Sequence, residues 1–506
     1  MAFPWLTTVG ALPLIGSGVL ALLPRGADRL ARRVAFTFAL AAMVVLAVAT
    51  TGFRVGESGL QLAEHHDWIP HFGISYGLGV DGVGLTLVAL TTVLTPIVIA
   101  ASANAGSGFL ALALALETTA IGAFAATDVF LFYVLFEAML VPMYFLIGRY
   151  GGRSRSAAAM KFLLYSLAGG LLMLVAVIGL YVVSAQQLPQ GTFDFPTLAA
   201  AVRDGTLRLD PVTERLLFAG FFVAFAIKAP LWPLHSWLPS AVAESTPGTA
   251  VLLVGILDKV GTFGMLRYCL SLFPDASEFF TPLVVVLSVI GIGYGALVAI
   301  GQNRIMRLIA YTSLSHFGFI TIGVFAMTPQ SQAGAAFYMV SHGLSVAALF
   351  LIAGFLISRR GSDLIADYGG VQQLAPVLAG TFLFAGLATL ALPGLSGFVA
   401  EFLVLVGTFT AYPAAAVIAA GGVVLAAVYV LWLYQRTMTG DLRPGNEGVT
   451  DLATAERWVI APLLALILGL GLYPQPVLDV IEPVGEGTVQ QTGVATPRDR
   501  ISPEAR

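Results

Sequence analysis

Residues 225–239 read F-A-I-K-A-P-L-W-P-L-H-S-W-L-P. The stretch starts as a bilayer-compatible helix and carries Lys228 where a charge is costly. It then meets Pro230 and Pro233, which lack the N–H that a continuing helix needs. A break at membrane depth is tolerated only where the freed backbone groups face protein or a water-filled cavity. A second interruption, L-P-G-L-S-G at 392–397 with Pro393 and Gly394, lies in a similarly apolar stretch. Paired broken helices in corresponding positions of two halves point to an ion or substrate site near the midplane. Against that stands the general frequency of Pro and Gly in membrane helices.

The surrounding chain supports the membrane setting. Of its 506 residues 58% are hydrophobic and 10% charged, against about 25% charged in soluble proteins. Hydropathy predicts an all-α polytopic membrane protein with 14 spans: 3–23, 32–51, 80–101, 107–126, 128–148, 157–184, 214–239, 248–272, 280–301, 304–326, 332–358, the interrupted 376–412, 414–438 and 456–473. The polar connection 185–213 and the loop holding His65, His66 and His71 are expected outside the spans. The histidines read as solvated residues with at most weak affinity for a surface metal ion. One membrane domain, 1–473, divides into the first three helices (1–106), a first five-helix repeat (107–272), a second repeat (280–438) and a last helix (456–473). Residues 474–506 are expected to form a polar outer tail. Because five is odd, the second repeat (helices 9 to 13) enters the membrane inverted relative to the first (helices 4 to 8), and the broken helices 7 and 12 correspond.

With both termini outside, the inner loops hold fifteen basic residues, among them Arg25, Arg29, Arg32, Arg33, Arg149, Arg304 and Arg359, and the outer segments hold eight, including Arg267. This is the asymmetry that retention of Lys and Arg on the cytoplasmic side produces. A net charge of -3 indicates no nucleic-acid partner, and six scattered His with one Cys exclude Cys-ligated zinc, disulfide frameworks and iron–sulfur clusters in this chain. The chain has no phosphate loop and no dinucleotide fingerprint. Any redox or nucleotide chemistry coupled to it belongs to another chain.

A charge at the bilayer centre costs at least about 2.5–3.5 kcal/mol and needs a partner, water or a function. Here they form a row: Glu137 mid-span, Lys228 before the first break, Lys259, His316, His342, and Glu401 after the second break. Burial and opposite charges shift such groups against one another, so neighbouring acids and amines can hand a proton along. Other readings stay open. Glu137 and Lys228 could be a static ion pair, and the two histidines could be packed core residues or could clamp a b-type haem. Glu117 and Asp258 are further candidates; Asp258 adjoins Lys259 but points about 100° away around the helix, which disfavours a direct pair. Lys161 is placed to snorkel or to act near an inner opening, and His235 to guard that opening or cap a loop.

The segments D-V-F-L-F-Y-V-L-F-E-A-M-L-V-P-M-Y-F-L-I (128–147), 225–239, R-L-I-A-Y-T-S-L-S-H-F-G-F (307–319), H-G-L-S (342–345), P-G-L-S-G-F-V-A-E-F (393–402) and G-L-Y-P-Q-P-V-L-D (471–479) resemble the antiporter-like subunits of proton-pumping NADH-quinone oxidoreductase, respiratory complex I, in particular the M-type (chain 4) branch. The likeness runs over almost the whole chain. It implies 14 helices with an inverted repeat, proton half-channels around the broken helices, Glu137 as the acid controlling Lys228, Lys259 as the connecting lysine and Glu401 as the terminal acid. Glu401 selects this branch, since the related L subunits and Mrp-type cation/proton antiporter subunits, the main alternative, usually carry Lys there. Asp258 departs from the pattern, which more often has an apolar residue. The resemblance further implies neighbouring membrane subunits as partners, with FMN, iron–sulfur clusters and quinone held elsewhere in the complex and no cofactor in this chain. Arginine-rich composition, 22 Arg to 3 Lys, suggests a GC-rich bacterial genome, hence the bacterial inner membrane.

Overall fold

The computed structural model describes residues 3–492 except 25 and 104; Arg25 and the end of the expected tail, 493–506, lie outside the described residues. The helices, in chain order, are α1 (Trp5–Leu22), α2 (Asp28–Thr50), α3 (Gly82–Ala101), α4 (Ser107–Ala125), α5 (Val129–Tyr150), α6 (Arg155–Gln187), α7 (Phe195–Arg203), α8 (Pro211–Lys228), α9 (Trp237–Glu244), α10 (Pro247–Leu272), α11 (Pro274–Ile300), α12 (Ile305–Phe325), α13 (Pro329–Arg360), α14 (Pro376–Thr389), α15 (Ser396–Ala411), α16 (Pro413–Met438), α17 (Thr454–Leu472) and α18 (Gln475–Thr492). Among the described residues twelve are long and apolar enough to cross a membrane. Two further crossings are broken: α8 with α9, and α14 with α15.

The core is set by which helices are enclosed by others, not by which are most apolar. The apolar stretches of α10 and α12 are wholly buried and that of α13 nearly so, whereas those of α1, α2, α16 and α17 bury a minority of their residues. A helix that is hydrophobic on every face belongs inside protein or lipid, and exposed Leu14, Val175, Leu216, Ile418 and Trp458 mark the outward faces. The candidate row therefore runs through the most enclosed helices.

Three expectations are corrected. The loop after α2 contains the only β-sheet among the described residues, an antiparallel hairpin of β1 (Gln61–Ile69) and β2 (Ile74–Val80). The Glu64 carboxylate accepts hydrogen bonds from Leu6 N (2.6 Å) and Thr7 Oγ1 (2.5 Å) at the start of α1, and Asp128 accepts one from Ser75 N (2.9 Å). The hairpin thus ties the ends of α1 and α5 together, with His65 and His66 on its exposed side. The connection 185–213 holds the short helix α7, capped by Asp194. Finally, 475–492 of the expected polar tail forms a helix. It buries Leu478, Ile481 and Val484 and packs on α3 and α13. Gly82 permits this docking, since a Cβ there would lie 1.7 Å from Val480 O.

Both breaks are held in shape. At the first, Trp237 Nε1 donates to Ile227 O (2.8 Å) across the turns that separate α8 from α9, and Leu231 N reaches Ala226 O (2.8 Å). At the second, Ala391 and Gly394 take left-handed φ values of 59° and 93°, a conformation natural for Gly394 and costly for Ala391.

Candidate functional site

Glu137 lies beside a bend. Pro142 cannot donate to the carbonyl of Ala138, so helical bonding in α5 loosens and a turn interrupts it at Met139. Oε1 of Glu137 accepts no hydrogen bond. It fits because Gly170 of α6 has no side chain: a Cβ there would sit 1.8 Å from that oxygen. Lys228, the last residue of α8, is 1% exposed and its Nζ has no hydrogen-bond partner. It stands 4.6 Å from the Phe136 ring centroid and 6.0 Å from that of Phe162, a cation–π seat. The charges of Glu137 and Lys228 act on each other, yet the Lys228 nitrogen lies more than 4.0 Å from either carboxylate oxygen. The static ion pair is not made.

Next along the row, α10 is wound as a π-helix over Val251–Leu257 and again over Met265–Cys269. Such wide turns are rare and concentrate at functional sites. Here Asp258 N bonds to Leu253 O (3.0 Å), and the Lys259 ammonium donates to Val254 O (2.6 Å). Lys259 Nζ also lies 2.6 Å from His342 Nδ1 and 4.9 Å from the Phe317 ring centroid. Asp258 is fully buried, and neither carboxylate oxygen has a hydrogen-bond partner. No ion pair joins it to its neighbour Lys259.

His342 meets His316 edge to face at 5.1 Å between ring centroids. Rings this close leave no space for a haem plate between them, so the two do not fit a haem clamp. His316 Nε2 is 3.3 Å from Tyr429 Oη, and its ring is 5.9 Å from that of Tyr338. Tyr338 Oη donates to Glu401 Oε1 at 2.8 Å. Ser341 Oγ reaches Ser396 Oγ, the first residue of α15, at 2.9 Å. The sequence reading missed Tyr338, Tyr429 and Gly170. Tyr338 stands four residues before His342, hence on the same face of α13, and that spacing could have found it. Tyr429, on an apolar span with no other candidate of the row, carried no such signal.

Not every candidate joins the row. Lys161 Nζ donates to Ser236 O (2.7 Å), while Tyr165 Oη lies 2.8 Å from Ser236 Oγ. Lys161 therefore braces the first break rather than snorkelling freely. His235 is buried beside Tyr294, at 5.0 Å between ring centroids, on that same segment. Glu117 is buried on α4 with both oxygens unpartnered and touches no other member. Arg267, expected in an outer loop, is buried on α10, 2.6 Å from Asp81 and 4.4 Å over the Phe263 ring. The described residues hold no cluster of three or more metal-ligating side chains. The site thus brings Lys259 beside His342, His342 beside His316, and His316 beside Tyr338 and Tyr429, with Tyr338 bonded to Glu401.

A family model described as NADH:quinone oxidoreductase/Mrp antiporter, TM matches residues 126–427, a range containing every member of the row from Glu137 to Glu401. The chain belongs to this family. Subunit M of NADH-quinone oxidoreductase from Mycobacterium tuberculosis strain H37Rv is 52% identical, over 99% of this chain and 96% of its own. The Rhodobacter capsulatus subunit M is 40% identical, over 94% and 95%. Among solved structures, a chain of respiratory complex I from Thermus thermophilus superposes with a TM-score of 0.88 at 33% identity, covering 96% of this chain and all (100%) of that one. A chain of the Mrp complex from Dietzia sp. DQ12-45-1b gives 0.84 at 23% identity over 99% and 100%, a likeness of fold alone. Relatives at 35% identity or more are named as subunit M in Rhodobacter capsulatus and as NADH-ubiquinone oxidoreductase chain 4 in Marchantia polymorpha, and the chain is a multi-pass membrane protein of that family.

Proposed function

We propose that this chain is a proton-translocating membrane-arm subunit of an NADH-quinone oxidoreductase, performing no redox step itself and working beside other membrane subunits. FMN, iron–sulfur clusters and quinone belong to other chains of the complex. The observation that carries the reading is the buried row of proton-bearing groups on both broken crossings, with Lys259 and His342 2.6 Å apart between them and Tyr338–Glu401 at its far end.

Each member has a role in this reading. Glu137 sets the charge state of Lys228: with the carboxylate ionised the lysine keeps its proton, and with it neutralised desolvation drives the proton onward. Lys259 passes it to His342. His316, Tyr429 and Tyr338 bridge to Glu401, the terminal acid of the second half. Lys161 and His235 flank the first break as an access point, and Glu117 is an accessory carboxylate. The two halves, 107–272 and 280–438, are read as inverted repeats, and the arginine-rich face as cytoplasmic with both termini opposite. An Mrp-type antiporter shares the fold, but Glu401 and the subunit M relatives favour the oxidoreductase.

Affinity purification of the tagged chain in mild detergent tests the assignment. The expected result is co-purification of peripheral subunits that oxidise NADH. Recovery with cation/proton antiporter partners instead, and sodium-dependent transport without NADH-linked chains, would overturn it.

A further inference from the structure

We propose that Asp258 is a relay residue, carrying the proton across α10 from Lys228 to Lys259; the proposal rests on the function argued above. Three observations place it. First, α10 seats directly on the end of α8: a Cβ on Gly261 would fall 2.6 Å from Phe225 O and 2.7 Å from Ala229 N, and one on Gly264 2.5 Å from the Phe225 ring. Asp258 stands three residues before Gly261 and so shares that face, whose neighbour at Ala229 is Lys228. Second, the face is brought round by the π-wound segment. Gly255, one turn earlier, looks toward Leu94 of α3 and the carbonyl of Gly343 on α13. Third, Lys259 reaches the other way, to His342 of α13 and Phe317 of α12. Two adjacent residues on one helix thus address the two sides of the molecule, and the Asp258 charge acts on both Lys228 and Lys259.

Both oxygens of Asp258 are buried and unpartnered, as is Lys228 Nζ. A carboxylate placed in the interior only to stabilise it would be expected to accept hydrogen bonds from its surroundings. One that accepts and releases a proton keeps its oxygens free. The transfer balances as follows. The Lys228 ammonium gives a proton to the Asp258 carboxylate, leaving a neutral amine and a carboxylic acid. The acid then gives its proton to the neutral Lys259 amine, leaving carboxylate and ammonium, with a water molecule spanning any gap longer than a hydrogen bond.

The test uses the whole complex in inverted membrane vesicles or proteoliposomes, with initial proton-pumping rates normalised to assembled complex. Asp258→Asn keeps the shape of the side chain and removes its proton affinity, and is expected to slow pumping about fivefold or more. Asp258→Glu restores the carboxyl and is expected to recover most of the rate, which a packing role would not predict for an enlarged side chain in a close-packed core. Pumping at the parental rate by Asp258→Asn, while Lys228→Ala is slow, would overturn the Asp258 relay and leave the wider function standing. Parental rates for both variants would overturn the relay together with the role given to Lys228 in the function it rests on. Equal impairment by Asp258→Asn and Asp258→Glu in fully assembled complex would assign Asp258 to packing and overturn the relay.

Discussion

Lys228→Ala is expected to lower the proton-pumping rate of the assembled complex about tenfold or more, equivalent to about 1.4 kcal/mol or more on the limiting barrier. Glu137→Gln is expected to act in the same direction. Lys228 combines near-complete burial with an ammonium that no hydrogen bond satisfies and two aromatic rings beneath it. A buried charge so weakly held is poorly explained as a strut, because an uncompensated interior charge costs several kcal/mol. It is well explained as a group whose proton must leave. The Phe136 and Phe162 rings hold the chain in position without adding a competing acceptor. Native gel electrophoresis should show the variant complex at normal size, and NADH oxidation by a soluble acceptor should persist, while quinone-coupled pumping falls. An assembled Lys228→Ala complex that pumps at the parental rate would remove the switch from the account.

At the opposite end, Glu401→Gln is expected to slow pumping by a similar factor, about tenfold, while Glu401→Lys is expected to stay within about threefold of the parent. The carboxylate is buried and its Oε1 accepts a hydrogen bond from the Tyr338 hydroxyl at 2.8 Å. Glutamine still offers an oxygen to Tyr338 and keeps the volume, so it isolates the loss of proton affinity from the loss of packing. Lysine restores a titratable group, with Tyr338 turning to accept, and matches the residue that sister subunits usually carry at the corresponding position. Rates from stopped-flow dye quenching in vesicles would separate the two variants. If Gln and Lys behave alike, titration at this position is not what matters.

Much of this organisation could be read in the chain before any coordinates. Fourteen apolar stretches and six intramembrane charged or imidazole groups stand out because the bilayer leaves so few places for charge. Pro230, Pro233, Pro393 and Gly394 announce breaks for a backbone reason that needs no tertiary information. The elements that escaped were those whose pattern is shared between environments. In Q-L-A-E-H-H-D-W-I the strand β1 shows no clean alternation, since its side chains are exposed or half-buried on both faces and none is fully buried. The terminal helix α18 does carry Val477, Leu478, Ile481 and Val484 at helical spacing, but Pro483 and two glycines mask it and its polar half reads as tail.

The site shows the same division. Which residues bear protons is a matter of residue type and depth, and so is legible. Which of them face one another depends on helix rotation, and the π-wound turns of α10 alter that rotation by an amount no propensity encodes. Likewise Gly170 is unremarkable among apolar neighbours until the Glu137 carboxylate is found filling the place of its missing side chain.

The account depends most on Lys259, where both halves meet through His342. Proton translocation by Lys259→Ala complex reconstituted in liposomes, with NADH and quinone supplied, tests that dependence directly. The account predicts assembled complex whose pumping is cut about tenfold or more. Parental pumping by that complex would contradict it.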